Sequence, residues 1–281
     1  MKIGITGATG QLGKLIVGKL KDRVNPENIV ALVRTPEKID DKTIEARRFD
    51  YDVPDSLDKS LEGIDYLMLI SGSEVGKRKQ QHENVINAAK KAGVKWIVYT
   101  SLLHADSSSI SLAGEHRATE AALKASGIAH TILRNGWYTE NYTGSIPASV
   151  KNGAIIGCAG EGKISSATRE DYAEAAAVVL TSANQQGKVY ELAGDKHYRL
   201  KELAAAVSLQ TGKDIPYQNI TETEYAAILK SMGIPDEYAK TIAGFDTAAS
   251  RNDLFDDSKQ LSQLIGRPTT ALSQSVKEVL I

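Results

Sequence analysis

Lys2-Ile3-Gly4-Ile5-Thr6-Gly7-Ala8-Thr9-Gly10-Gln11-Leu12-Gly13-Lys14-Leu15-Ile16-Val17-Gly18-Lys19-Leu20 joins a short apolar run to a glycine-rich turn and then to a segment whose apolar residues Leu12, Leu15, Ile16 and Leu20 recur at helical spacing. The order strand, turn, helix follows from that pattern. Gly7 permits the tight turn, Gly10 lets the backbone approach a pyrophosphate, and Gly13 lets the helix pack closely on the strand. The helix start contributes free N–H groups and the positive end of its dipole, so the turn reads as a dinucleotide phosphate site. The alternative is a glycine-rich strand-to-helix turn that binds nothing.

At 281 residues the chain can bury a sizeable core and sits near the length at which single cores divide. The division expected is a dinucleotide-binding domain over 1–150 and a smaller, mainly helical lobe over 151–281, with 154–193 returning elements to the sheet. The 34 basic and 35 acidic side chains leave a net charge of −1 with no long block of either sign, so no nucleic-acid footprint is visible. The first residues run straight into the phosphate turn and no apolar run approaches a bilayer span, which points to a cytoplasmic protein without membrane contact. Cys158 is the single cysteine, which excludes an intramolecular disulfide and a cysteine-rich metal site; no metal is expected.

Asn28 to Arg34 is a continuous β-branched run, hence a second buried strand, and Thr35-Pro36-Glu37-Lys38 turns the chain. The last residue of that strand selects the cofactor. An acid there holds the ribose 2′-hydroxyl of NAD, whereas an arginine clamps the 2′-phosphate of NADP. Arg34 favours NADPH, with Lys38 a weaker second cation; the alternative is a solvated strand-end charge. Strands are expected over 44–49, 65–70, 95–100 and 128–134, each ending at the sheet edge where ligands bind in open α/β folds. Asp50 then lies near the adenine, and the loop Ser71-Gly72-Ser73-Glu74-Val75-Gly76 against the cofactor. Lys77, Arg78 and Lys79 read as the solvated start of a helix over 80–92.

The strand over 95–100 delivers Ser101-Leu102-Leu103-His104-Ala105-Asp106, and a helix follows over 114–126. Short-chain dehydrogenases keep a catalytic serine in that loop, and a tyrosine with a lysine four residues on in that helix. Here His116 and Glu120 stand instead, which disfavours an ordinary carbonyl reductase. His116 is a candidate proton donor or ribose contact, or else a half-exposed helix residue. Asn135-Gly136-Trp137-Tyr138-Thr139-Glu140-Asn141-Tyr142 is aromatic and amide-rich at a strand's carboxyl end, a candidate wall for a flat ring. Beyond it, a strand over 154–157 and a glycine-rich loop over 160–169 lead to an alanine-rich helix, with Arg169 at its start able to reach a phosphate or a substrate. A strand over 188–192 and helices over 200–211, 222–232, 235–242, 258–265 and from 271 complete the chain.

The spacing G-x-x-G-x-x-G, Val33-Arg34, the loop 71–76, Tyr99-Thr100-Ser101-Leu102-Leu103-His104-Ala105-Asp106, Leu133-Arg134-Asn135-Gly136-Trp137-Tyr138 and Phe255-Asp256-Asp257-Ser258 together resemble the NmrA-like, atypical short-chain dehydrogenases across essentially the whole chain. That resemblance implies a Rossmann-like α/β fold, a doubly wound parallel sheet with a smaller C-terminal substrate lobe. It also implies NADPH-dependent two-electron reduction of a quinone or similar aromatic acceptor by direct hydride transfer, in a monomer or homodimer. By the same resemblance Gly7, Ala8, Thr9, Gly10, Gln11 and Leu12 hold the pyrophosphate, Arg34 the 2′-phosphate, and Ser71, Ser73 and Glu74 the ribose side. Asn135, Gly136, Trp137, Tyr138, Thr139 and Glu140 take the nicotinamide half, and Arg169 is a further contact. No catalytic acid is assigned; His116, Trp137, Tyr138 and Asn141 are the candidates. Two other functions stay open: reduction of another electron-poor acceptor such as a cationic dye, and a non-catalytic NADP-sensing regulator of the NmrA type.

Overall fold

The computed structural model describes residues 1–281. In chain order its elements are β1 (Ile3–Thr6), α1 (Gln11–Lys21), β2 (Ile29–Val33), β3 (Glu45–Arg48), α2 (Pro54–Ser60), β4 (Tyr66–Leu69), α3 (Arg78–Lys91), β5 (Trp96–Leu102), α4 (Ala113–Ser126) and β6 (Ala129–Asn135). There follow α5 (Glu140–Thr143), α6 (Ile146–Asn152), β7 (Ile155–Gly157), α7 (Arg169–Thr181), β8 (Val189–Leu192), α8 (Leu200–Thr211), β9 (Tyr217–Asn219), α9 (Glu222–Ser231), α10 (Asp236–Ser250), α11 (Gln260–Ile265) and α12 (Leu272–Glu278).

A seven-stranded sheet has the order β3-β2-β1-β4-β5-β6-β8. The pairings from β3 through β6 are all parallel, with Ile3 opposite both Ile29 on β2 and Tyr66 on β4. Every residue of β1, β2 and β5 is buried, which is why these strands read as unbroken apolar runs. The strand order reverses on either side of β1, so the carboxyl ends of β1 and β4 flank the switch point where ligands enter doubly wound sheets. The core beneath is built from Leu32, Leu57, Leu61, Leu67, Leu69, Val85, Ile97 and Tyr99.

The chain forms two compact units that interleave: one comprises 1–105, 114–135 and 169–190, the other 106–113, 136–168 and 191–281. The expected division at 150 came with elements of 154–193 returning to the sheet; α7 belongs to the first unit, where Lys19 of α1 meets Glu170 at 2.7 Å and Arg23 meets Glu174 at 3.6 Å. The segment before β8 joins β6 through Gly187 N–H to the His130 carbonyl, 2.7 Å, and Ile132 N–H to the Lys188 carbonyl, 3.0 Å. Only this later part of 154–193 reaches the large sheet. β7 pairs in parallel with β9 in a separate two-stranded sheet, and the residues after it are tied to the same partner. Ala159 N–H donates to Tyr217 Oη and Gly160 N–H to Asn219 Oδ1. In the second unit α10 runs on to Ser250, well past the expected end at 242, and buries Ala243, Ala248 and Ala249. No helix is long and apolar enough to cross a membrane.

Candidate cofactor site

The glycine turn has the geometry its spacing predicts. Gly7 adopts φ +60°, open to glycine at little cost. A Cβ on Gly13 would lie 2.2 Å from the Gly7 carbonyl oxygen, so only glycine lets α1 pack on the turn this closely. Gly10 caps α1 without any side-chain hydrogen bond, and the first turn carries no acidic residue. The leading N–H groups of α1 therefore meet neither a capping side chain nor an acidic neighbour, which suits an anion.

This turn forms one wall of a cleft of about 600 Å³. Of the residues expected around a dinucleotide, Gly7, Thr9, Gly10, Gln11, Leu12, Arg34, Ser71, Ser73 and Glu74 line it, together with Lys38 and Asp50. Ala8 does not; it is buried behind the turn at 2% exposure. Arg34 and Glu74 approach to 3.6 Å, and Glu74 reaches Lys77 at 3.1 Å.

The floor of the cleft is the backbone of Ile70, Ser71 and Gly72, and side chains from several elements hold it. Ile70 N–H donates to Thr6 Oγ1 at 2.9 Å, while the Ile70 carbonyl accepts from Tyr51 Oη at 3.0 Å. Ser71 N–H donates to Thr100 Oγ1, 2.9 Å. Gly72 N–H donates to His82 Nε2, 2.9 Å, and its carbonyl accepts from Arg78 Nε, 2.8 Å. Because Nε2 accepts, the hydrogen of neutral His82 sits on Nδ1 and is donated to Thr119 Oγ1 at 2.9 Å. Burial, aided by the nearby Arg78 cation, pushes the His82 pKa down to about 3.

Arg78 corrects the sequence reading. Expected as part of a solvated run, it is 5% exposed, opens α3 two residues earlier than the pattern indicated, and binds Glu115 at 3.1 Å as well as Gly72. Tyr51 and Gln81, both lining the cleft, were not singled out by the sequence. Tyr51 follows β3 at the carboxyl edge, so the rule that led to Asp50 could have found it.

The helix α4 settles what replaces the missing tyrosine and lysine. His116 is 5% exposed, its Nδ1 lies 2.8 Å from Tyr99 Oη, and burial, with Arg78 and His82 nearby, lowers its pKa to about 3. Burial keeps its ring neutral at physiological pH, and it is not the half-exposed helix histidine that the sequence also allowed. Ser101 Oγ donates to Glu120 Oε1 at 2.5 Å, and Arg134 binds the same carboxylate through Nε and Nη2 at 3.0 and 2.7 Å. The serine hydroxyl is thereby committed to a buried ion pair.

Asn135 closes β6 at 5% exposure with its Oδ1 buried and lacking a hydrogen-bond partner. Arg169, half-buried, opens α7. Both belong to the first unit, whereas 136–141 belong to the second. There Gly136 N–H donates to the Leu192 carbonyl, and the backbones of Trp137 and Thr139 exchange hydrogen bonds with Ala167. Trp137 packs edge-on against Phe245, ring centres 5.0 Å apart, and Thr139 shares a hydroxyl contact with Ser166 at 2.9 Å. Tyr138 bridges to Ala167, Glu140 begins α5, and Asn141 is exposed. One residue on, Tyr142 Oη donates to Asp246 Oδ1 at 3.3 Å, and Asp246 Oδ2 accepts from Cys158 N–H at 3.1 Å. Burial pushes the Asp246 pKa up to about 6.

An open helix N-terminus beside a glycine turn, with two cations at the end of β2, defines a dinucleotide-binding protein. The chain matches the model of an NAD(P)H-binding family over residues 7–183 and belongs to that family. It is 54% identical over 280 residues to quinone oxidoreductase 2 of Escherichia coli (strain K12), covering 99% of this chain and 98% of that one. The crystal structure of NADPH-dependent quinone oxidoreductase from Escherichia coli complexed with NADPH matches at a TM-score of 0.97, over 99% of this chain and 100% of the other. Triphenylmethane reductase of Citrobacter sp. complexed with NADP(H) matches at 0.96 with 37% identity, over 99% and 100% of the two chains. An NmrA variant at 15% identity and a TM-score of 0.77, over 99% and 95%, shares the fold alone.

Proposed function

We propose that this protein is an NADPH-dependent oxidoreductase that reduces quinones by two electrons. The observation that carries the reading is 54% identity to the Escherichia coli enzyme along 99% of this chain. The residues present fit the cofactor: the α1 N-terminus has no side-chain cap, Gly13 leaves no room for a Cβ, and the buried Asn135 Oδ1 lacks a donor. When bound, NADPH supplies a hydride to the acceptor from its nicotinamide ring.

Gly7 to Leu12 and the α1 N-terminus hold the pyrophosphate, Arg34 with Lys38 the 2′-phosphate, and Ser71 and Ser73 the ribose side. Asn135 to Glu140 serve the nicotinamide half, Arg169 adds a contact, and Trp137, Tyr138 and Asn141 wall the acceptor. Holding two flat rings in register supplies most of the catalysis. The reduced oxygen takes its proton from water, since His116 is held neutral by burial and Ser101 already donates to Glu120. The protein acts in the cytoplasm, as a monomer or homodimer, on a small-molecule acceptor and not on nucleic acid. Likeness to triphenylmethane reductase favours a cationic dye as the second acceptor class.

The test is NADPH consumption by the purified protein with a simple benzoquinone, beside NADH and acceptor-free controls. Saturable, NADPH-preferring turnover is expected, and Arg34→Ala should abolish that preference. NADPH binding without turnover on quinones or cationic dyes would replace the enzyme reading with the sensor.

A further inference from the structure

Glu74 lines the cleft with Oε1 3.6 Å from Arg34 Nη1 and Oε2 3.1 Å from Lys77 Nζ. Its carboxylate lies on the cation that the proposed function assigns to the 2′-phosphate. We propose that Glu74 determines dinucleotide specificity by competing with the 2′-phosphate for Arg34, so that it sets how strongly the protein prefers NADPH over NADH. The inference rests on the reading of Arg34 as the 2′-phosphate clamp.

The chemistry gives the competition its direction. A phosphate monoester at neutral pH carries between one and a half and two negative charges, roughly, and is repelled by a carboxylate sharing its cation. A ribose bearing a 2′-hydroxyl instead offers that carboxylate a hydrogen to accept. Glu74 thus opposes one dinucleotide and accommodates the other. Lys77, on the far oxygen, gives the carboxylate a second partner when a phosphate takes Arg34. The pair is exposed, 71% for the Arg34 side chain and 38% for Glu74, so its strength is that of a surface ion pair. The effect expected is about fivefold in affinity, which at 1.4 kcal/mol per tenfold is ~1 kcal/mol. The opposite role, Glu74 pinning Arg34 in place for the phosphate, carries the opposite sign.

Dissociation constants for NADPH and NADH are measured on the full-length protein as wild type, Glu74→Gln, Arg34→Ala and the double variant, with thermal melts confirming folding. Glu74→Gln should tighten NADPH about fivefold while leaving NADH unchanged or weaker, and the gain should vanish on the Arg34→Ala background. Unchanged or weaker NADPH binding by Glu74→Gln, while Arg34→Ala still loses the NADPH preference, overturns the competition and leaves the clamp standing. If Arg34→Ala keeps the wild-type preference, the clamp fails and the competition with it.

Discussion

The floor of the cleft and the aromatic segment after β6 are held in place by different means. At 70–72, five hydrogen bonds run from side chains on other elements to three consecutive residues' backbone. At 137–142, the backbone is tied through Ala167 while the side chains lean on consecutive residues of α10: Trp137 on Phe245 and Tyr142 on Asp246. A dinucleotide backbone is invariant, so its support can be rigid and polar. The 137–142 segment is set by side-chain packing that can be retuned, which suits the acceptor wall we propose there. The two supports also carry buried titratable groups of opposite kind, a histidine whose pKa burial lowers in one and an aspartate whose pKa burial raises in the other.

The largest effect on NADPH affinity is expected where the floor's neighbour tolerates least. Gly13→Ala places a methyl 2.2 Å from the Gly7 carbonyl oxygen and 2.9 Å from Ala8 Cα, both backbone atoms that move only with the whole turn. NADPH affinity should fall by roughly a hundredfold or more and stability by about 1–3 kcal/mol, read by titration and urea melts. Next comes Arg78→Met, which leaves the Glu115 carboxylate, at 18% side-chain exposure, without its cation and the Gly72 carbonyl without its donor. A loss of about 3–5 kcal/mol is expected. Arg78→Lys should recover part of the stability but less of the NADPH affinity, since a single ammonium cannot reproduce the two-partner fork.

Arg78 also shows what the sequence could and could not convey. The place of the β1 turn, of Arg34 and of the loop after β4 around the cleft was legible because each is local or follows from the rule that ligands sit at strand carboxyl ends. Burial of Arg78 depends on Glu115, 37 residues away, and nothing in Lys77-Arg78-Lys79 distinguishes the middle cation from its exposed neighbours. His116 likewise owes its neutrality to burial, with the Arg78 cation and His82 adding to it, rather than to anything its own helix sequence displays. The elements α5, α6 and β9, at four, seven and three residues, are too short for a hydrophobic period to register. The alanine-rich α7 buries Tyr172, Ala173, Ala176, Val179 and Leu180, and its ion pairs with α1 depend on Lys19 and Arg23, far away in the chain, which a local reading does not display.

Acid should attack the floor. His82 and His116 each titrate near 3 in the folded protein against an ordinary 6.5. Between those values the unfolded chain binds protons that the folded one does not, so their contribution is present above 6.5 and is lost as pH falls toward 3. Each histidine should contribute up to about 1.4 kcal/mol of lost stability per pH unit in that window. A protonated His82 could no longer accept from Gly72 N–H, but the folded protein takes up that proton only near pH 3, so NADPH affinity should hold from pH 7 to 4 while stability declines. Denaturant midpoints from pH 7 to 4, with His116→Gln removing one histidine's share of the slope, check this.

The carboxylate behind the aromatic segment should respond in the opposite sense. Asp246, 5% exposed, titrates near 6 folded against 3.8 ordinarily, because burial opposes its charge. Between 3.8 and 6 the folded protein holds the extra proton, so stability falls as pH rises through that window, by on the order of 3 kcal/mol in all. Asp246→Asn should remove this dependence and raise stability at pH 7 relative to pH 4, compared with wild type. The variant should leave affinity for adenosine 2′,5′-bisphosphate, which lacks the nicotinamide half, unchanged, because no 70–72 contact involves α10. The acceptor KM should instead shift severalfold, since Tyr142 loses a charged partner and the segment bearing Trp137 and Asn141 loosens. If Asp246→Asn moved affinity for adenosine 2′,5′-bisphosphate as strongly as the acceptor KM, the two supports would not be independent, and the contrast between a fixed floor and a tunable wall would fail.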